Sequence, residues 1–208
     1  MVSMKSLAPF VAAMTAVVAA SNFLVQYPFD HFGFGEVLTW GAFTYPVAFL
    51  VTDLTNRRFG PRAARLVVAA GFVIAVLLSF QLATPRIAIA SGTAFLAAQL
   101  LDVRIFDKLR HRAWWMPPFI STLIGSCLDT VIFFGLAFSQ AANIIGAGDA
   151  FATEPAPILG ILAVTAPRWI SWALGDLAVK LIVGLAMLAP YGALLPALTA
   201  RPAARPHI

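Results

Sequence analysis

Residues 64–83 read ARLVVAAGFVIAVLLSFQLA, with one charge at Arg65 and then an apolar run interrupted only by Ser79 and Gln81. Roughly 20 apolar residues, at about 1.5 Å of helical rise each, cross the hydrocarbon core of a bilayer. The rest of the chain has the same character: of 208 residues 61% are apolar and 11% charged, and mean hydropathy is +0.88. Soluble globules are not built this way. Such a length holds about six or seven spans, with none left over for a large extramembrane enzyme or ATPase. The formal charge of +5 fits basic cytoplasmic loops against lipid headgroups better than direct contact with nucleic acid.

Working outward from residues 64–83, Pro, Gly and charge clusters cut the chain into six spans, at about 7–27, 37–55, 64–83, 87–106, 118–138 and 169–188. Lys5 ahead of an apolar stretch with small residues near Ala20 admits a cleaved signal peptide. The apolar run continues through Phe23, Leu24 and Val25, however, which favours a retained helix. Pro46 should kink the second span by removing a backbone donor. Residues 141–167 are expected as an outward loop, with Ile158 to Ala166 a short interfacial helix, too short to cross. Lys5, Arg57, Arg58, Arg62, Arg65, Arg104, Lys108, Arg110, Arg112, Arg201 and Arg205 then fall on one side. The other side holds only Arg86 and Arg168, with Asp30, Glu36, Asp149 and Glu154. The positive-inside rule puts both termini in the cytoplasm and requires an even number of spans. The expected fold is therefore an all-α membrane protein, one transmembrane domain of six helices.

Ionisable groups inside a bilayer are costly and mark function. Asp129 lies near the middle of the fifth span. Asp176 and Lys180, four apart on the sixth, share a helical face and can form an ion pair. Asp53 on the second span and Asp102, one turn after Gln99 on the fourth, lie nearer the cytoplasmic ends. For Asp102, as for Asp107 beyond it, helix adhesion and snorkelling compete with a role in binding, because Arg104, Lys108 and Arg110 are near. Arg57 and Arg58 read as topology determinants. Trp40, Phe43 and Tyr45 sit in the outer half of the second span, level with Trp169 and Trp172. Their rings suit either an interfacial belt or stacking on a flat solute. Asn22, Ser121 and Thr122 are uncharged candidates. Small residues four apart at Ala12, Ala16 and Ala20, and at Ser121 and Gly125, permit close helix contact. Walker A and H-E-x-x-H sequences are absent, the histidines are scattered, and Cys127 is the only cysteine, so neither a cofactor nor a metal is expected.

Several stretches in order carry a resemblance: SNFLVQ at 21–26, TWGAFTYP at 39–46, FLVTDLT at 49–55, QLLDV at 99–103, Ser121-Thr122-Leu123, Asp129-Thr130, Asp176 and Lys180. Together they resemble the queuosine precursor transporter family, once filed as an uncharacterised inner-membrane family related to vitamin uptake proteins. The resemblance covers about Ser21 to Asp129, resumes near Asp176, and carries nothing through 139–167. It implies import of 7-cyano-7-deazaguanine or 7-aminomethyl-7-deazaguanine across the bacterial inner membrane for salvage into tRNA queuosine. The substrate-binding residues it implies are drawn from Asn22, Trp40, Phe43, Tyr45, Asp53, Gln99, Asp102, Ser121, Asp129, Asp176 and Lys180. A deazaguanine presents a ring N–H beside an exocyclic amine, and one carboxylate, foremost Asp129, can accept both.

Two other readings stay open at this point. One is a substrate-binding membrane subunit that works with a separate ATPase. The other is an intramembrane enzyme with Asp53, Asp102 and Asp129 as metal ligands, although these lack the clustered acidic motif of such enzymes. The preferred precursor, the energy source and the formation of a homodimer are not decided by the sequence.

Overall fold

The computed structural model of the chain describes residues 3–35 and 37–199. Glu36, Arg201, Arg205 and His207, used above in the charge and histidine readings, lie outside the described residues. The main helices are α1 (Met4–Leu24), α2 (Gly41–Thr44), α3 (Val47–Phe59), α4 (Pro61–Leu82), α5 (Pro85–Leu109) and α6 (Met116–Phe138). After them come α7 (Ala150–Thr153), a two-stranded ribbon of β1 (Pro155–Pro157) and β2 (Thr165–Pro167), α8 (Arg168–Ala186) and α9 (Leu188–Thr199). Among the described residues, five helices are long and apolar enough to cross a membrane: α1, α4, α5, α6 and the α8–α9 stretch to Leu198.

Prolines and caps set the helix ends. Pro61, Pro85 and Pro117 occupy first-turn positions, where no backbone donor is needed. Thr84 caps α5 by accepting from the Ile87 amide at 3.3 Å. Gly60, at φ 85°, makes the reversal from α3 to α4 in a single residue, a conformation that a side chain would strain.

Helix α4 shows how the surface is divided. Val67, Val68, Gly71, Ala75 and Ser79 are buried, while Leu66, Val73, Leu77 and Phe80 face outward. A face of large apolar residues turned away from the bundle belongs against lipid. The small residues behave differently on the two helices where they recur. Gly125 on α6 receives Phe49 of α3 so closely that a Cβ there would stand 2.7 Å from its ring. Ala12, Ala16 and Ala20 instead face outward, and α1 packs through Leu7, Met14, Val18 and Ser21.

Two expected elements take another form. The stretch 37–55 is not one helix. Pro46 cannot donate to the preceding turn, and the Ala48 and Phe49 amides bond only three residues back, to Tyr45 and Pro46. The result is a broken helix, α2 then α3, rather than a kinked one, and α3 is too short to count among the five. Residues 158–166 are not a short interfacial helix either. Pro155 pairs with Pro167 and Pro157 with Thr165, closing a ribbon around a turn in which Leu159 and Gly160 have positive φ. The Leu159 amide, turned out of helical geometry, donates to Ser171 Oγ at 2.9 Å. Within 158–166 the positive φ of Leu159 and Gly160 breaks helical geometry, and Pro157 and Pro167 bound the segment on either side.

Arg86, read from the sequence only as a sparse charge, organises the preceding loop. Its guanidinium donates to the carbonyls of Leu136, Ser139 and Gly146 and to Asn143 Oδ1, at 2.6 to 3.1 Å. Arg86→Ala leaves these acceptors without a donor. Amides of 139–146 should then exchange with deuterium at least about tenfold faster, as expected for loss of one or more hydrogen bonds to a charged group. Unchanged exchange would show that the loop holds itself.

Candidate functional site

A cavity of about 470 Å³ opens between α1, α2, α4, α5, α6 and α8, lined from exposed Gln26 and half-buried Gly35 at one end to buried Asp129 and Lys180. Its size falls within the roughly 300–1,000 Å³ typical of small-molecule sites. The buried end is built around one ammonium. Lys180 of α8 pairs with Asp176 one turn before it on its own helix, and at 2.6 Å with Asp129 Oδ2 of α6. It also lies 5.2 Å above the Tyr45 ring. The Tyr45 hydroxyl donates to the other oxygen of Asp129 at 3.0 Å, and the Thr130 hydroxyl to Asp176 Oδ2 at 3.3 Å.

The two carboxylates are therefore not equivalent. Asp129 has both oxygens engaged and its side chain is 4% exposed. Among the described residues Asp176 carries its contacts on Oδ2 and keeps Oδ1 without a partner, and it is 17% exposed toward the cavity it lines. Helix spacing puts Asp176 and Lys180 together. The reach of Lys180 across to Asp129 has no signature within one helix.

The cavity has two further walls. Asn22 of α1 accepts from Ser79 of α4 at 2.8 Å, while its amide nitrogen donates to the Val18 carbonyl at 3.0 Å. Phe133, Phe134 and Phe138 of α6 and Trp172 of α8 supply aromatic surface, with Phe138 edge-on to Trp172 at 5.4 Å between centroids. Ser79 and the three phenylalanines are additions to the residues picked out from the sequence. Ser79 was visible as the polar interruption of 64–83, whereas nothing marks those phenylalanines among so many.

Trp40 and Phe43 stand outside this lining. The loop before α2 folds back through a bridge between Pro28 and Thr39, bringing Phe29 within 4.9 Å of Trp40 and 4.8 Å of Phe43. Both rings are used in that outer cluster, and the aromatic surface of the cavity comes from Tyr45 and the α6 and α8 aromatics.

Asp53, Gln99, Asp102 and Ser121 form a second polar group, separate from the cavity. Ser121 donates to Asp53 Oδ1 at 3.4 Å, and Thr52 to Gln99 Oε1 at 2.6 Å. The separation follows from the antiparallel run of α3 and α6. Tyr45 meets Asp129, Phe49 meets Gly125, and Asp53 meets Ser121, in steps of four residues on each chain segment. Eight residues of helix place the two polar layers about 12 Å apart, and the buried Phe49 ring lies between them. Beyond the second layer, Arg57 donates to the Tyr191 hydroxyl and the Arg110 carbonyl, and Arg58 to the Leu198 carbonyl, tying α3 to α5 and α9. Asp129 stands apart from Asp53 and Asp102, and among the described residues no three acidic, His or Cys groups converge as a metal site.

The family model described as "Putative vitamin uptake transporter" matches residues 39–83 and 78–194, and so runs through 139–167, where the sequence motifs carry nothing. The queuosine precursor transporter of Escherichia coli strain K12 is 36% identical over 92% of this chain and 87% of its own length. A probable queuosine precursor transporter of Haemophilus influenzae is 35% identical over 86% of this chain and 82% of its own. One from Bacillus subtilis is 29% identical over 50% of this chain and 58% of its own. No solved structure matches.

Proposed function

This chain belongs to the queuosine precursor transporter family, a multi-pass membrane family with a transport rather than an enzymatic role, and on that premise we propose that it imports 7-deazaguanine precursors of queuosine across the bacterial inner membrane. The observation that carries the proposal is the free oxygen of Asp176 at the buried end of a cavity with aromatic walls. A 7-deazaguanine laid against Phe138 and Trp172 offers its ring N–H and exocyclic amine side by side. Asp176 accepts from this edge, and Lys180 and Thr130 hold the carboxylate still. Asn22 and Ser79 face the substrate from α1 and α4. With the carboxylates fixed by Lys180 and Tyr45 before substrate arrives, little ordering remains for binding to drive.

The broken helix α2–α3 completes six crossings, with the arginine-rich ends of α3 and α5 in the cytoplasm and the cavity open to the outside. Irregular backbone at membrane depth is tolerated where it lines a cavity; Gly41, which opens α2, and Tyr45, which follows it at the break, do so here.

Uptake of radiolabelled 7-cyano- and 7-aminomethyl-7-deazaguanine by liposomes holding this chain alone tests the proposal. Saturable accumulation of either compound, competed by the other, is the expected result. Binding without entry would instead assign the chain to an uptake complex with a separate ATPase.

A further inference from the structure

The second polar layer takes no part in the cavity, and its chemistry is incomplete as it stands. Asp53 of α3 and Asp102 of α5 are 1% and 0% exposed, and their carboxyl groups face one another within hydrogen-bonding reach. Two ionised carboxylates offer acceptors only, so the contact between them has no donor. Among the described residues neither oxygen of Asp102 has a hydrogen-bond donor of its own, and the Gln99 amide nitrogen one turn earlier on α5 has no acceptor. Ser121 has a single hydroxyl proton for the two carboxyls and is placed to give it to Asp53.

Among the described residues no cation touches the pair, although the charge of Arg57 acts on Asp53 and one nitrogen of its guanidinium is buried without a partner. Among the described residues neither aspartate makes an ion pair. Arg57, one turn beyond Asp53, directs its guanidinium to the Tyr191 hydroxyl at 2.8 Å and the Arg110 carbonyl at 2.7 Å, and lies 5.1 Å from the Phe106 ring centroid. Arg110 is held by Asp107 and the Asn56 carbonyl. Lys180 is engaged with Asp129 and Asp176 on the far side of Phe49. Among the described residues the α6 group bonded to the pair is the Ser121 hydroxyl, and the phenol of Tyr191 on α9 already accepts from Arg57. A void of about 10 Å³ reaches Asp53 between Pro46, Thr122, Gly184 and Tyr191, close to the smallest space that admits one water.

We infer that Asp53 and Asp102 share one proton and form the site at which a proton accompanies the substrate across the membrane. One proton turns the acceptor–acceptor contact into an O–H···O⁻ bond and leaves a single charge, which the Ser121 hydroxyl can stabilise. Transfer balances as one proton taken up from the outer side and one released to the basic end for each substrate carried. No bond other than O–H is made or broken. Phe49 keeps the proton layer apart from the cavity in this conformation, so the two sites communicate through movement of α3 against α6.

The coupling half of this inference rests on the transport reading above; the proton itself does not, and can be measured without substrate. Infrared spectra of the purified chain at neutral pH should contain a deuterium-sensitive protonated-carboxyl band that is lost in Asp53→Asn and Asp102→Asn and kept in Asp129→Asn. Absence of that band from the unsubstituted protein, which needs no variant to fold, overturns the inference. In liposomes an inward proton gradient of one pH unit, coupled one to one, should support about tenfold accumulation of 7-cyano-7-deazaguanine. Asp102→Asn should abolish gradient-driven accumulation and retain binding of the compound. Accumulation driven by a sodium gradient instead, or indifferent to both, overturns the coupling even where the band is present.

Discussion

Lys180→Met is expected to lower folded yield more than any other single change at the cavity, and to abolish uptake. The ammonium is the common partner of Asp129 and Asp176, which come from two helices. Removing it leaves two carboxylates facing each other in a low-dielectric site. Breaking a buried ion pair from one side costs about 3–5 kcal/mol, a large share of the stability of a small protein. The spacing of Asp176 and Lys180 alone suggests a closed pair, whose joint removal would restore yield. With Asp129 on the same ammonium the expectation changes. Asp176→Ala with Lys180→Ala still leaves Asp129 stranded and should recover little. Asp129→Asn with Lys180→Met removes the deeper charge together with the cation and should recover most of the yield. Monodisperse yield from detergent and the thermal midpoint of unfolding report on all these variants. Recovery in the Asp176 double variant alone would mean that Lys180 serves Asp176 alone, and equal recovery in the two that it serves both aspartates alike.

Asp176→Asn should do the opposite, sparing the fold and losing the substrate. Lys180 keeps Asp129, and Asp129 keeps Tyr45, so the α6–α8 tie survives. The amide offers one acceptor oxygen where the carboxylate offered two, and its nitrogen opposes the donor edge of the base. Losing one charge-assisted hydrogen bond of about 1.5–3 kcal/mol weakens binding roughly ten- to a hundredfold. Asp129→Asn should lower yield first, because both of its oxygens serve the protein. Titration of each purified variant with 7-cyano-7-deazaguanine separates the two roles; greater loss of affinity at Asp129 than at Asp176 would reverse the assignment.

The charged residues of the cavity were legible because apolar runs make them conspicuous. Asp129, Asp176 and Lys180 stand inside segments that otherwise suit lipid, and a charge there needs a partner. Their grouping was legible only within α8, where spacing reports a shared face. The division into two layers rests on pairs of residues from different segments. Tyr45 and Asp53, like Ser121 and Asp129, are eight apart, but only the antiparallel packing of α3 on α6 turns equal spacing into equal depth. Trp40 and Phe43 were drawn away from the cavity by Phe29, through a loop closure that leaves no periodic trace. Pro46 announced a disturbance of the second span, but not that the preceding residues would give only one short turn of helix. Residues 158–166 are apolar enough for an interfacial helix, but Gly160 within them and the prolines that flank them at 155, 157 and 167 spoke against it.

The central claim is that Asp176 reads the donor edge of a 7-deazaguanine, and a chemical cycle tests it most directly. Binding of 7-cyano-7-deazaguanine and of its analogue lacking the exocyclic amine is measured on the unsubstituted protein and on Asp176→Asn. The analogue should bind about ten- to a hundredfold more weakly to the unsubstituted protein, and the difference should shrink to a few-fold in the variant because the group that reads the amine is gone. A difference that survives intact in Asp176→Asn, or equal binding of both compounds to the unsubstituted protein, would contradict the claim.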